Sequence, residues 1–222
     1  MSISPQMMKG ALVVYESQTP GPPPQIIVFQ YNPDQLERKL ENRTPEKKRG
    51  ANAKEDILRV GGPPKETITL SIQLNAADQL AEPARNQTLV DFGLLPALAT
   101  LEMLLYPTTF QVLQNEALST QGAAQIKPAD LPLTLLVWGA ARVVPVRIES
   151  FSVTEEAFDP DLNPIQAKVE LSLSVLTYME LEKGSQGRDA YFAFQTNKEL
   201  FAQMHQNLSD EAYIRSVLPG GS

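Results

Sequence analysis

Apolar and polar residues alternate most cleanly over residues 67–74. Ile68, Leu70, Ile72 and Leu74 fall on one side of an extended chain, and Thr67, Thr69, Ser71 and Gln73 on the other. A period of two is the signature of a strand with one buried face. The same period returns in two long runs, residues 142–154 and 166–178, joined by about a dozen residues, EEAFDPDLNPI. In the second run Val169, Leu171, Leu173 and Val175 alternate with Lys168, Glu170, Ser172 and Ser174. In the first the apolar phase reads Val144, Val146, Ile148 and then Phe151, Val153, so the switch at Glu149-Ser150 predicts a β-bulge. A strand of about 12 residues spans ~40 Å, about twice the usual length. So long a hairpin, polar on one face, suits a barrel wall or a surface extended by neighbouring copies.

Shorter apolar runs supply the other strands. Residues 11–15 (ALVVY) are β-prone and end in the turn-rich TPGPPP. Residues 25–31 (QIIVFQY) are apolar on both faces, which predicts a place in the middle of a sheet. Asn32-Pro33-Asp34 stops that strand, since proline donates nothing to a ladder. Residues 41–64 are polar and charged, close on Gly61-Gly62-Pro63-Pro64, and read as one long loop, a feature that is often functional. A helix is predicted over residues 88–106 from its spaced leucines, with Pro96 in a first turn and Pro107 at its end. Residues 114–128 read as a loop, and residues 133–138 as a strand stopped by Gly139. After a linker at 183–187, Tyr191, Phe192, Phe194, Leu200, Phe201, Met204 and Leu208 recur at helical spacing. Ser209 with Asp210 and Glu211 reads as the cap of a short last helix.

The pattern predicts a mainly β (α+β) chain: an antiparallel barrel or sandwich with one flanking helix over residues 1–182, and a helical C-terminal extension over 183–222. Its length of 222 residues suffices for a real core. Eighteen prolines favour many segment ends over long helices.

Composition then narrows the chemistry. With no cysteine there are no disulfides, thiolate metal sites or thiol nucleophiles, and a single histidine, His205, removes multi-histidine metal sites. His205 lies beside Phe201 and Leu208 and reads as a packing or surface residue. No G-x-S-x-G, P-loop or G-x-G-x-x-G occurs. Asp159, Asp161, Asn163 and Glu170 match positions 1, 3, 5 and 12 of a calcium loop. Pro164 holds the position that needs a sharp glycine turn, so a proline-stiffened hairpin loop is expected instead. A carboxylate hydrolase built on Glu155, Glu156 or Asp159 ranks last among the readings. Trp138 reads as a core or barrel-mouth tryptophan.

The net charge of −7 repels nucleic acid and anionic membranes. The one basic cluster, Lys47-Lys48-Arg49, is flanked by Glu41, Glu46, Glu55 and Asp56 and reads as a solvated loop. The N-terminus lacks a signal-peptide core, and no stretch reaches membrane-spanning length; assembly in the cytoplasm is expected. No catalytic set, cofactor or metal is expected.

A resemblance enters with the order of several short motifs. Lys9-x-Ala11-Leu12 opens a strand and Phe29-Gln-Tyr-Asn32-Pro33 closes the second. The 67–75 strand, the Leu-rich helix and Pro132-x-Leu-x-Leu-x-Val-Trp138-Gly139 follow. The hairpin carries Ile148-Glu-Ser-Phe-Ser-Val-Thr-Glu-Glu-Ala-Phe158 and Asp161-Leu-Asn-Pro164-Ile-Gln-Ala167. Over residues 9–178 this resembles the tube-domain family of contractile injection systems, and in particular the baseplate proteins that cap the inner tube. The resemblance implies a tail-tube-type β-barrel with a flanking helix, assembled as a homo-hexameric ring between inner tube, spike or hub and the surrounding baseplate or sheath-adaptor subunits. It implies oligomerisation through sheet edges and the 41–64 loop. Relatives commonly carry a LysM module; residues 183–222 lack its signals, and the aromatic helix is the candidate substitute. The expected subunit and partner contacts are Lys47, Lys48, Arg49, Thr69, Ser71, Gln73, Lys168, Ser172, Phe194 and Phe201, with the polar strand faces at a lumen or seam. The competing expectation is a monomeric small-ligand-binding β-barrel with a helical lid.

Overall fold

A computed structural model describes residues 8–16, 22–44, 59–120 and 131–206. Its strands are β1 (Ala11–Tyr15), β2 (Gln25–Val28), β3 (Leu36–Glu41), β4 (Lys65–Asn75), β5 (Leu133–Val137), β6 (Val143–Phe158) and β7 (Pro164–Val175). All pair antiparallel in one sheet of order β2-β1-β5-β6-β7-β4-β3. Helices α1 (Ala77–Leu80), α2 (Gln87–Phe92), α3 (Leu95–Glu102) and α4 (Thr109–Thr120) lie between β4 and β5, and α5 (Gln186–Gln206) follows β7.

The period-two pattern decides which side of the sheet is dry. Ile68, Leu70 and Ile72 of β4 stand across from Leu173, Leu171 and Val169 of β7, all buried. Leu12, Leu136, Val144, Val146 and Ile148 continue the same face, and Leu94, Leu98, Leu101 and Leu104 cover it from the helical side. Each such side chain contributes ~1.5–3 kcal/mol by leaving water. A second, smaller cluster forms on the reverse of β5, where Leu133 and Leu135 meet Leu181 and Tyr191. β5 is therefore dry on both sides.

The expected bulge is present: β6 pairs Ile148 with Leu173 and then Ser150 with Ser172, skipping Glu149. That extra residue lets Phe151 and Val153 rejoin the inner face after the phase switch. The hairpin is longer than expected, because β6 runs on to Phe158 and only residues 159–163 turn the chain.

Five expectations are corrected. The sheet does not close into a barrel: β2 and β3 end it, and no ladder joins them. Helices, not a returning strand, cover its inner face. Residues 25–31 are not central either; β2 is a four-residue edge strand with Ile26 and Val28 exposed. It stops because Phe29 turns inward to full burial, its N–H donating to the Gly10 carbonyl at 2.9 Å. The single helix over 88–106 is two, since Gly93 adopts φ +55° between α2 and α3 and no right-handed helix passes through that conformation. The loop expected from residue 114 begins as helix α4. Likewise the 183–187 linker is shorter, for Ser185 caps α5: its Oγ accepts from the Arg188 N–H at 3.2 Å. The last short helix expected after Ser209 lies outside the described residues.

α5 is latched to the sheet through one buried carboxylate. Glu66 is 4% exposed; it accepts from Arg38 Nε of β3 at 2.6 Å and from Lys198 Nζ of α5 at 3.1 Å. The buried Phe194 ring lies 4.1 Å from the same ammonium. Breaking a buried pair by removing one partner is costly. Glu66→Ala is expected to lower unfolding stability by ~2–4 kcal/mol and to raise amide exchange in α5 before the rest of the fold. At Gly93 an added Cβ would lie 2.4 Å from the Pro164 carbonyl oxygen. Gly93→Ala should cost ~1–3 kcal/mol in a denaturant melt, whereas Gly139→Ala, with the same sign of φ but open space, should cost less.

Candidate functional site

The face of the sheet opposite the core is polar across β3, β4, β7 and β6, and the register sets it out in rows. Lys39, Thr67, Ser174 and Arg147 stand side by side, then Glu37, Thr69, Ser172 and Ser150. Ser71, Glu170 and Ser152 follow, and then Gln73, Lys168 and Thr154. Thr69, Ser71, Gln73, Lys168 and Ser172, expected on strand faces from alternation, are thus brought onto one continuous surface. Register makes them neighbours: hydroxyl faces hydroxyl across β4 and β7.

The charges on this face neutralise one another along single strands. Lys39 pairs with Glu41 at 2.8 Å, Arg147 with Glu149 at 2.6 Å and Lys168 with Glu170 at 2.7 Å. Each pair joins residues two apart, which a strand places on the same side. The hydrogen bond to Glu41 raises the Lys39 pKa and that to Glu170 raises Lys168, while Lys39 lowers Glu41. These bonds favour the charged forms of Lys39, Glu41 and Lys168. The resulting wall is hydrated and carries little net field. It presents neither the cationic stripe a phosphate backbone needs nor an apolar floor for a lipid-like ligand.

At one end the face deepens into an open cleft of about 780 Å³, bordered by Lys9, Gln30, Asn32, Ser71, Gln73 and Lys168. Its lysines are engaged, Lys9 with the Gln30 carbonyl at 2.9 Å and Lys168 with Glu170. The Gln30 amide reaches across to the end of β4, accepting from the Asn75 N–H at 2.8 Å and donating to the Asn75 carbonyl at 2.6 Å. One side chain there imitates a rung of backbone ladder where no strand supplies one.

The remaining expected residues are scattered. Phe194 is buried under Arg38 and Lys198, while Phe201, two turns further along α5, is half exposed and borders a cleft with Trp138. Lys47, Lys48 and Arg49 lie outside the described residues. The acidic hairpin turn uses its own carboxylate: Asp159 Oδ1 accepts from the N–H groups of Asp161 and Asn163, at 2.9 and 2.8 Å, and Oδ2 from the Asn163 amide at 2.9 Å. Those bonds, the Asn163 side chain first, hold Asp159 below its ordinary pKa. Glu170 belongs to the polar face and its Lys168 pair instead. Among the described residues no group of three or more His, Asp or Glu is placed to hold a metal.

Two features escaped the sequence pattern. β3 reads Leu-Glu-Arg-Lys-Leu-Glu, whose period of two was masked by four charges in six residues. The second is the stem of the segment that follows it. Gly61 N–H donates to the Arg43 carbonyl at 2.8 Å, and the Arg43 guanidinium pairs with Glu180. Glu180 also accepts from the Thr177 hydroxyl and N–H.

Comparison with protein-family models and with curated proteins finds no match for this chain.

Burial acts to raise the Glu180 pKa, but the Thr177 and Arg43 hydrogen bonds outweigh it and hold the group below the ordinary glutamate value. A carboxylate depressed in the folded state stabilises above its unfolded pKa, and that contribution is lost as pH falls through the folded value. Glu180→Gln should therefore lower stability at pH 7, by about 1 kcal/mol or less once solvent screening of this partly exposed group is allowed for, with the gap to wild type closing in acid below the carboxylate range. Urea melts at pH 7 and pH 3 read the difference directly.

Proposed function

We propose that this protein is a structural subunit of a contractile injection system, six copies of which form a baseplate ring joining the inner tube to the spike or hub. The observation that supports the reading is a charge-balanced polar face across β3, β4, β7 and β6, in a sheet whose two edge strands, each paired on one side only among the described residues, are unlike. Edge β2 is apolar, with Ile26 and Val28 exposed, whereas edge β3 carries Glu37, Lys39 and Glu41. A free edge is a template for another strand. Pairing of one edge with the other is heterologous, head to tail, and it forms a ring when the rotation from copy to copy closes and a filament when it does not. In such a ring the sheets run on from copy to copy, and each copy contributes a polar stretch across β3, β4, β7 and β6 to the wall.

That wall suits a conduit. Small hydroxyls and ion pairs already satisfied along their own strands leave little to seize a passing macromolecule of either charge sign. The chain's own inner face is filled by side chains such as Leu12, Ile72, Leu136 and Val169, and the clefts lie at the surface. The motif order over residues 9–178 supports the same reading. No helix among the described residues is long and apolar enough to cross a membrane.

The absence of native cysteine makes the test clean. Ile26→Cys combined with Lys39→Cys, treated with a short bis-maleimide, should give a ladder ending at six copies of 24.5 kDa, about 147 kDa. Either cysteine alone should give no ladder. A double variant that stays monomeric at high concentration and in assembled particles would sink the ring.

A further inference from the structure

One cleft is lined by three cations and no carboxylate, in a chain whose net charge is −7. It encloses about 380 Å³ and brings three parts of the fold together. Arg38 comes from β3, Trp138 and Arg142 from the turn between β5 and β6, and Phe194, Lys198 and Phe201 from α5. Contacts within one copy hold these walls in place. The Trp138 N–H donates to the Arg142 carbonyl at 2.8 Å, which closes the turn. Asn197 of α5 donates from its amide to the Ala141 carbonyl at 3.2 Å, which ties the helix to that turn. The Trp138 ring is seated against Gly10, where an added Cβ would lie 2.9 Å from it.

Charge and lining say what fits. Glu66, buried beneath the cleft, has one oxygen on Arg38 and the other on Lys198. Two cations thus share one carboxylate, and among the described residues none lines the cleft at Arg142. A guanidinium carries donors in a planar fork that matches a carboxylate. Beside these donors stand three rings: Phe194 is buried, Trp138 half-buried and Phe201 51% exposed. An occupant must therefore carry a carboxylate next to an aromatic or aliphatic group. The volume lies at the low end for a ligand pocket and takes roughly one or two side chains. Tryptophan and arginine are enriched among the residues that dominate affinity between proteins. Phosphate sites instead gather backbone N–H groups at helix N-termini and turns. Here the cations are side chains, and α5 meets the cleft with residues 194–201, well inside the helix.

We propose that this cleft is the docking site for an acidic segment of a partner protein, which sets a carboxylate against Arg142 and Arg38 and an adjacent aromatic side chain between Trp138 and Phe201. The cleft is complete within one copy, so the site does not depend on the ring reading above.

Trp138 is the one tryptophan of the chain, so its fluorescence reports occupancy of the cleft. The probe is a blocked pentapeptide of alternating glutamate and phenylalanine, titrated into the full chain and followed in parallel by calorimetry. Saturable binding with a Kd of about 10–100 μM is expected, with a shift in Trp138 emission. The same peptide with lysine for glutamate, or serine for phenylalanine, should bind at least tenfold more weakly. Arg142→Gln should weaken the acidic peptide about tenfold and Phe201→Gln about fivefold. Arg142→Lys, which keeps the charge and loses the fork, should fall between Arg142→Gln and wild type. Both positions lie outside the Glu66 latch, and circular dichroism melts identify any variant that has unfolded; Arg142→Lys and Phe201→Leu then take its place, with weakening again expected. A wild-type chain that shows no saturable binding at about 1 mM peptide overturns the proposal. So does binding that the Arg142 and Phe201 variants leave unchanged, since the peptide then sits elsewhere. If D210N/E211Q, outside the described residues, tightens peptide binding tenfold or more, the chain's own carboxylates fill the cleft and the partner falls. If adenosine monophosphate binds tenfold more tightly than the peptide and displaces it, the cleft is a nucleotide site and the proposal fails.

Discussion

An antiparallel sheet that does not close leaves two edge strands, β2 and β3, paired on one side only among the described residues, and much else in this protein follows from that. A closed barrel would pair both edges internally and hide its inner face. Here helices cover the inner face and the edges stay available. Gln30 shows how local the remedy is: its amide satisfies the backbone of Asn75 where the ladder has run out. It caps one position at the end of β4, beyond the residues that β3 pairs.

The interior is held by two kinds of contact that act at different ranges. The aliphatic face of β4, β7 and β6 is laid down by alternation, so any strand in this register contributes to the same dry layer. α5 is fixed differently. A buried carboxylate, Glu66, is compensated by Arg38 from β3 and Lys198 from α5, and Phe194 lies beneath both cations. Such a carboxylate tolerates few alternatives, because burial without either cation leaves a charge in a dry site. The edge strand β3 and the C-terminal helix are thereby tied to the same residue.

Much of the sheet was legible because its signal is local. The strand at 67–74, the hairpin and the bulge at Glu149 follow from which side successive residues point, and no partner is needed to read that. The polar face was legible for the same reason. The candidate site as a whole was less so: Thr69 and Ser172 could be placed on outward faces, but their adjacency depends on β4 pairing with β7 across just over a hundred residues. β3 went unread because four charges in six residues look like a loop, although Arg38 points inward to Glu66. The helix over 88–106 was divided by one glycine, whose positive φ is demanded by close packing on Pro164 and not by its neighbours in sequence.

By itself, then, the order of residues determined the alternating strands β4, β6 and β7, the phase at which β6 switches faces, the hydroxyl-rich side of the hairpin and the lack of thiol or multi-histidine chemistry. Each of these depends on a residue and its immediate neighbours. Tertiary structure alone decided which strands stand at the edges, whether the sheet closes, and how α5 is held. Those are properties of pairs far apart in the chain. QIIV reads the same whether one neighbour or two lies beside it, and only the folded sheet leaves β2 with β1 alone.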